Sequence, residues 1–95
     1  MRDYELVFIV HPELDDTALE GIVDRVKGWI TEAGGTVEKV DMWGKKRMAY
    51  MIQKQREGNY VFFKTQMPPA FTAELERNFR FLEPVMRYMV IAPES

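Results

Sequence analysis

The sequence predicts an α+β domain in which one four-stranded antiparallel sheet carries two helices on a single face. Three observations lead there. Four runs have the apolar content of strands, beginning near Tyr4, Gly35, Tyr60 and Val85. Two further stretches repeat apolar residues at helical spacing, and they fall after the first and the third strand. Finally, 95 residues with 46% apolar and 29% charged content suffice for one modest core, and the absence of cysteine means that no disulfide framework shapes it.

The first strand, Tyr4–Val10, sets Tyr4, Leu6, Phe8 and Val10 in one row. The opposite row starts with Glu5 but continues as Val7 and Ile9. A strand with one wet face alternates apolar and polar, so a strand apolar on both faces is expected to be central and covered twice. His11-Pro12 turns the chain, because proline has no amide for a ladder. Asp15, Asp16 and Thr17 then offer helix caps, with Thr17 and Glu20 at capping-box spacing. Leu19, Ile22, Val23, Val26, Ile30 and Ala33 make the stripe of the first helix. Gly34-Gly35 closes it, since glycine enters the left-handed region without strain.

A long hairpin follows. Its first strand is interrupted at Trp43-Gly44, where the glycine predicts a bulge or bend. Met48, Tyr50 and Ile52 then alternate with Ala49 and Met51, and a polar loop is expected from about Gln53 to Asn59. The return strand opposes Val61, Phe63, Thr65 and Met67 to Tyr60, Phe62, Lys64 and Gln66. Pro68-Pro69 stops it and can open the second helix, whose stripe is Phe71, Leu75, Phe79 and Leu82 and whose end is Glu83-Pro84. The last strand, Val85–Ile91, opposes Met86, Tyr88 and Val90 to Arg87, Met89 and Ile91. Two interlocked β-α-β units with right-handed crossovers put both helices on one side and the first and third strands in the centre. This is the ferredoxin-like βαββαβ arrangement, as one domain over residues 1–95.

Charge is segregated along the chain. From Met42 to Arg56 there are five cations, Lys45, Lys46, Arg47, Lys54 and Arg56, and no acid. Of thirteen cations, eight then remain against fifteen acids elsewhere, a net of −7 beside an arm of +5. Such an arm suits contact with an anion. The plain alternative is that lysines guard an exposed strand edge. Trp43, Tyr50 and Tyr60 stand near the cations, and that combination fits RNA, whose phosphates attract cations and whose exposed bases stack on aromatics. The signature of the RNA-recognition motif is absent, so phosphate and shape contact with folded RNA is expected rather than base-by-base reading. Arg2 and Arg87 are further candidates from strand ends.

With both helices on one side, the other side of the sheet begins uncovered. Strand parity places Val7, Ile9, Phe62, Met89 and Ile91 there, on three adjacent strands. A contiguous patch of this kind marks a contact site, whereas the bland reading is scattered surface hydrophobes. Catalytic chemistry has little support. His11 is the one histidine and precedes a proline, no second His or Cys supports a transition-metal site, and no glycine-rich phosphate loop is present. No cofactor, metal or small-molecule substrate is expected. No apolar run nears the roughly 18 residues of a membrane span. No signal peptide is visible at the start, so a cytoplasmic location is expected.

Met1–Pro12, Trp43–Tyr50, Asn59–Val61 and Phe79–Val90 together resemble the bacterial small-subunit ribosomal protein S6 family, in order and over nearly the whole chain. The Trp-Gly-Lys-Lys-Arg-Met-Ala-Tyr segment and Arg87–Val90 are its most specific parts. The resemblance implies a ferredoxin-like, non-enzymatic ribosomal component. It also implies binding to small-subunit ribosomal RNA in the central-domain platform, as a heterodimer with ribosomal protein S18. By position, Arg2, Lys45, Lys46, Arg47, Lys54 and Arg87 become the candidates for RNA contact, with Arg56 from the same arm. Val7, Ile9, Phe62, Met89 and Ile91 become the candidates for the partner, an assignment that rests on parity. The family often has proline after Ala49-Tyr50, where this chain has Met51, and a charged tail where this sequence stops at Ser95. Alternatives of another class are a dimeric ferredoxin-like ligand-sensing module and a small dimeric α/β-barrel oxygenase. Both would need a polar-lined pocket or a histidine cluster.

Overall fold

Six elements follow one another as β1 (Arg2–Val10), α1 (Asp16–Glu32), β2 (Thr36–Ile52), β3 (Gln55–Met67), α2 (Phe71–Arg80) and β4 (Val85–Ile91), in a computed structural model that describes residues 1–93. The sheet is antiparallel with strand order β2-β3-β1-β4, so β1 and β3 are central, as the ferredoxin-like arrangement requires. β1 pairs with β3 from Arg2↔Met67 to Val10↔Asn59 and with β4 from Glu5↔Ile91 to Val10↔Val85.

The even row of β1 explains where the helices sit. Leu6, Phe8 and Val10 are fully buried with Val61, Phe63 and Met67 of β3, beneath Val26 and Ile30 of α1 and Leu75 and Phe79 of α2. Phe8 lies 5.5 Å from the Phe63 ring and 5.2 Å from Phe79, which also stacks on Tyr88 at 5.3 Å. Each such side chain contributes about 1.5–3 kcal/mol by leaving water. The one polar side chain fully inside this row, Thr65, donates its hydroxyl to the Tyr4 carbonyl at 3.1 Å, so its burial leaves nothing unpaired.

The ends of α1 are set by local chemistry. Of the three caps that the sequence offers, Asp15 is the one used, and the Thr17–Glu20 box does not form: the Asp15 carboxylate accepts from the Ala18 amide at 2.8 Å, and Thr17 already lies inside the first turn. At the other end the Gly34 amide donates to Thr31 and the Gly35 amide to Ile30, with Gly34 at φ +87°, which is the six-to-one and five-to-two pattern of a Schellman cap. α2 begins at Phe71 after the proline pair and ends at Arg80. Leu82, expected on its stripe, lies beyond the helix but still packs into the core.

The hairpin between β2 and β3 differs from expectation. The polar loop from Gln53 to Asn59 does not form. β3 starts at Gln55, Ile52 pairs with Gln55, and the turn is Gln53-Lys54 alone, at φ 51° and 65°. Two consecutive left-handed residues give the twist that joins two strands tightly. Gly58-Asn59, which has the look of a turn, works inside β3. A Cβ on Gly58 would collide with Cγ2 of Ile9, and Asn59 is buried with its Nδ2 donating to the His11 carbonyl at 3.3 Å. β4 holds a second correction. Ile9 pairs with Arg87 but Val10 pairs with Val85, so Met86 is the extra residue of a bulge. Met86 therefore leaves the row of Tyr88 and Val90 and packs with Ile9 and Met48 on the opposite face.

Candidate RNA and protein interface

β2 is a 17-residue strand whose register against β3 shifts three times. The second shift is the bulge expected at Trp43-Gly44: Met42 pairs with Val61 and Gly44 with Tyr60, Trp43 is the extra residue, and Gly44 supplies φ +81°. The third is wider. The five steps from Arg47 to Ile52 match only two from Glu57 to Gln55, which leaves Met48–Met51 without places in the ladder. Each bulge bends and twists its strand. The far half of the hairpin thereby swings across the open face. Tyr50 of β2 meets Arg87 of β4, although these strands are the two edges of the sheet. Arg87 Nη1 donates to the Tyr50 hydroxyl, and its guanidinium carbon lies 5.6 Å from the ring centre.

This crossing builds a second, smaller core on the face away from the helices. Ile9, Met48 and Met86 are buried there, with Ile52 and Tyr60 packed against them. Beside it runs a groove of about 290 Å³, walled by Val7, Met48, Tyr50, Tyr60, Arg87 and Met89. Next to the groove Trp43 lies parallel to Phe62, with ring centres 5.6 Å apart and an 8° angle, and at 6.4 Å from Tyr60. Lys46 Nζ is 5.7 Å from the Trp43 ring.

The apolar candidates divide by accessibility. Val7, Ile9, Phe62, Met89 and Ile91 do share the face away from the helices: Val7 pairs with both Phe62 and Met89, and alternation carries Ile9 and Ile91 to the same side. Met89 is 50% and Ile91 37% exposed, Val7 and Phe62 are half-buried, and Ile9 is only 7% exposed because Met48 and Met86 cover it. Ile9 thus supports the surface from beneath and offers little area of its own.

The cations divide in the same way. Lys45, Lys46, Arg47, Lys54 and Arg56 are all exposed on the hairpin. The ion pairs among the described residues are Lys39–Asp41 at 3.3 Å and Lys64–Glu38 at 3.9 Å, so the arm's cations hold no acid. Alternation puts Lys45 and Arg47, opposite Asn59 and Glu57, in one row and Lys46 in the other. Glu13 and Glu57 do line a shallow depression with Lys45, Lys54 and Arg56, which tempers the arm's field on that side. Arg87 is brought to the arm but is already engaged by Tyr50. Arg2 is not brought there. It opposes Met67 at the far end of β1, roughly 25 Å from the end at which the arm leaves the sheet.

Sequence reasoning missed the Tyr50–Arg87 contact, the place of Met86 and the pairing of Lys46 with Trp43. The Trp-Gly bulge was the available signal for the last, because it redirects every side chain that follows. His11 shapes a turn: its amide donates to the Pro84 carbonyl at 2.8 Å and its Nδ1 accepts from the Glu13 amide at 3.3 Å. Among the described residues no group of three His, Cys, Asp or Glu is placed to hold a metal ion, and no helix is long and apolar enough to cross a membrane.

Comparison with known proteins agrees with the geometry. Residues 3–92 match the family model described as ribosomal protein S6. The chain is 45% identical over 95 residues to small ribosomal subunit protein bS6 of Clostridium novyi, covering all of both chains. It is 44% identical to the protein of the same name from Moorella thermoacetica, covering 100% of this chain and 97% of that one. The crystal structure of 30S ribosomal protein S6 from Thermotoga maritima superposes with a TM-score of 0.92 at 31% identity, covering 97% of this chain and 87% of the other. The chain belongs to the ribosomal protein S6 family.

Proposed function

We propose that this protein is a non-catalytic constituent of the small ribosomal subunit, in the cytoplasm, and that it binds small-subunit ribosomal RNA in the central-domain platform cooperatively with S18. Membership of the S6 family supports the ribosomal role. The observation that carries the RNA reading is the hairpin itself: five exposed cations without acid partners among the described residues, swung out beside a half-covered apolar face. Lys45, Lys46, Arg47, Lys54 and Arg56 form the phosphate-contacting surface, and Arg2 and Arg87 are secondary to it. S18 rests on Met89 and Ile91, with Val7 and Phe62 behind them.

Cooperation follows from the charge count. Five phosphate contacts give a binding constant that falls with salt at a logarithmic slope of about −4 to −5, so the lone protein binds weakly at physiological ionic strength. A cationic partner docked on the sheet extends the surface and makes its own contacts intramolecular. Filter binding of the protein alone and of the pair to a central-domain RNA fragment tests this. Tight binding is expected for the pair only, and equal affinities reject cooperation.

A further inference from the structure

We infer that Trp43 is a stacking platform for one unpaired base of the bound RNA, with Lys46 placed for that nucleotide's phosphate. The inference rests on the RNA-binding reading above and adds a ligand group to it. An indole is usually taken into a core with both faces covered. Trp43 instead stacks beside Phe62 and Tyr60, near the surface, and stays 45% exposed. Its position is fixed before any ligand arrives. It is the extra residue of a bulge, followed by Gly44 at φ +81°, and Phe62 and Tyr60 hold it nearly parallel to their own rings. A base arriving on the exposed part of the indole extends an existing stack, and little side-chain freedom is lost on binding.

The electrostatics favour a nucleotide over a neutral aromatic group. Lys46 Nζ already sits 5.7 Å from the ring centre, and Lys45 and Arg47 flank it in the chain. Asp41, two residues before Trp43, is engaged by Lys39 at 3.3 Å. Stacking tolerates any base because every base has a π-face, so this contact is consistent with a chain that lacks the base-reading signature.

The test uses the protein with S18 and a central-domain fragment of small-subunit RNA, with Trp29→Phe so that Trp43 is the chain's sole indole. Adding RNA to the preformed pair is expected to quench Trp43 emission. Trp43→Leu is expected to weaken RNA binding roughly 5- to 150-fold while Trp43→Phe keeps most of it. The salt slope should stay unchanged in Trp43→Leu, since no charge is removed. Wild-type affinity in Trp43→Leu overturns the inference while leaving the RNA reading intact. So does an emission change complete on adding S18 and unaltered by RNA, which would assign the ring to the protein interface. Failure of the wild-type pair to bind RNA removes both readings. Should Trp43→Leu melt below the assay temperature, ultraviolet cross-linking of the unaltered complex decides: a Trp43 peptide joined to RNA is expected, and its absence among cross-linked peptides overturns the inference.

Discussion

Replacing Lys45, Lys46 and Arg47 together by alanine should flatten the salt dependence of RNA binding. These three side chains are exposed and hold no acid partner among the described residues, so their removal leaves the fold nearly untouched, each within about 0.5 kcal/mol. If all five cations of the hairpin meet phosphates, their share of the logarithmic slope is about −4.5; with two left it is about −1.8. Between 50 and 200 mM salt the hairpin's contribution to affinity then falls roughly 500-fold in the wild type and roughly 12-fold in the variant. Contacts made by S18 add the same slope to both proteins and cancel in the difference. Filter binding of the pair at four or five salt concentrations gives the two slopes. A difference below about 1 would refute the argument, because the arm's affinity would then not come from displaced counterions.

Three further outcomes test the local structure. Asp15→Ala should cost about 1 kcal/mol in urea denaturation while Thr17→Ala is close to neutral, and the reverse order would restore the Thr17 cap. Gly58→Ala should destabilise by about 1–3 kcal/mol, because its methyl meets Cγ2 of buried Ile9. In the double variant with Ile9→Ala the two costs should fall short of their sum by about 1 kcal/mol, and strict additivity would mean that the two sites do not touch. Tyr50→Phe removes the hydroxyl that Arg87 holds. Urea denaturation should show a loss of about 0.5–1 kcal/mol, and an unaltered midpoint would mean that the crossing is held by Met48 packing alone.

Much of this architecture was legible in the sequence because it is written in parity and in breakers. The two apolar rows of β1 announced a central strand, the glycine pair ended α1, and Gly44 marked its bulge. What was not legible depends on contacts far apart in sequence. Gln53-Lys54 carries no turn signal, while Gly58-Asn59 carries one and serves packing against Ile9 and His11. Asp15, Asp16 and Thr17 are each able to cap, and Asp15 is the one held in extended backbone, at ψ 172°, with its carboxylate on the Ala18 amide. The same limit applies to the site. A contiguous run of cations is visible by eye. The isolation of Arg2, the engagement of Arg87 by Tyr50 and the burial of Ile9 all arise from how strands lie across one another.

The kinked course of β2 has a further consequence. It is the longest strand and it borders the sheet, the arrangement most prone to zipping onto another copy of itself. A straight partner strand that is in phase before one kink is out of phase after it, so no long run of donors and acceptors can be matched in a single alignment. The irregularity that turns the hairpin across the open face therefore also disfavours edge-to-edge pairing between neighbouring molecules.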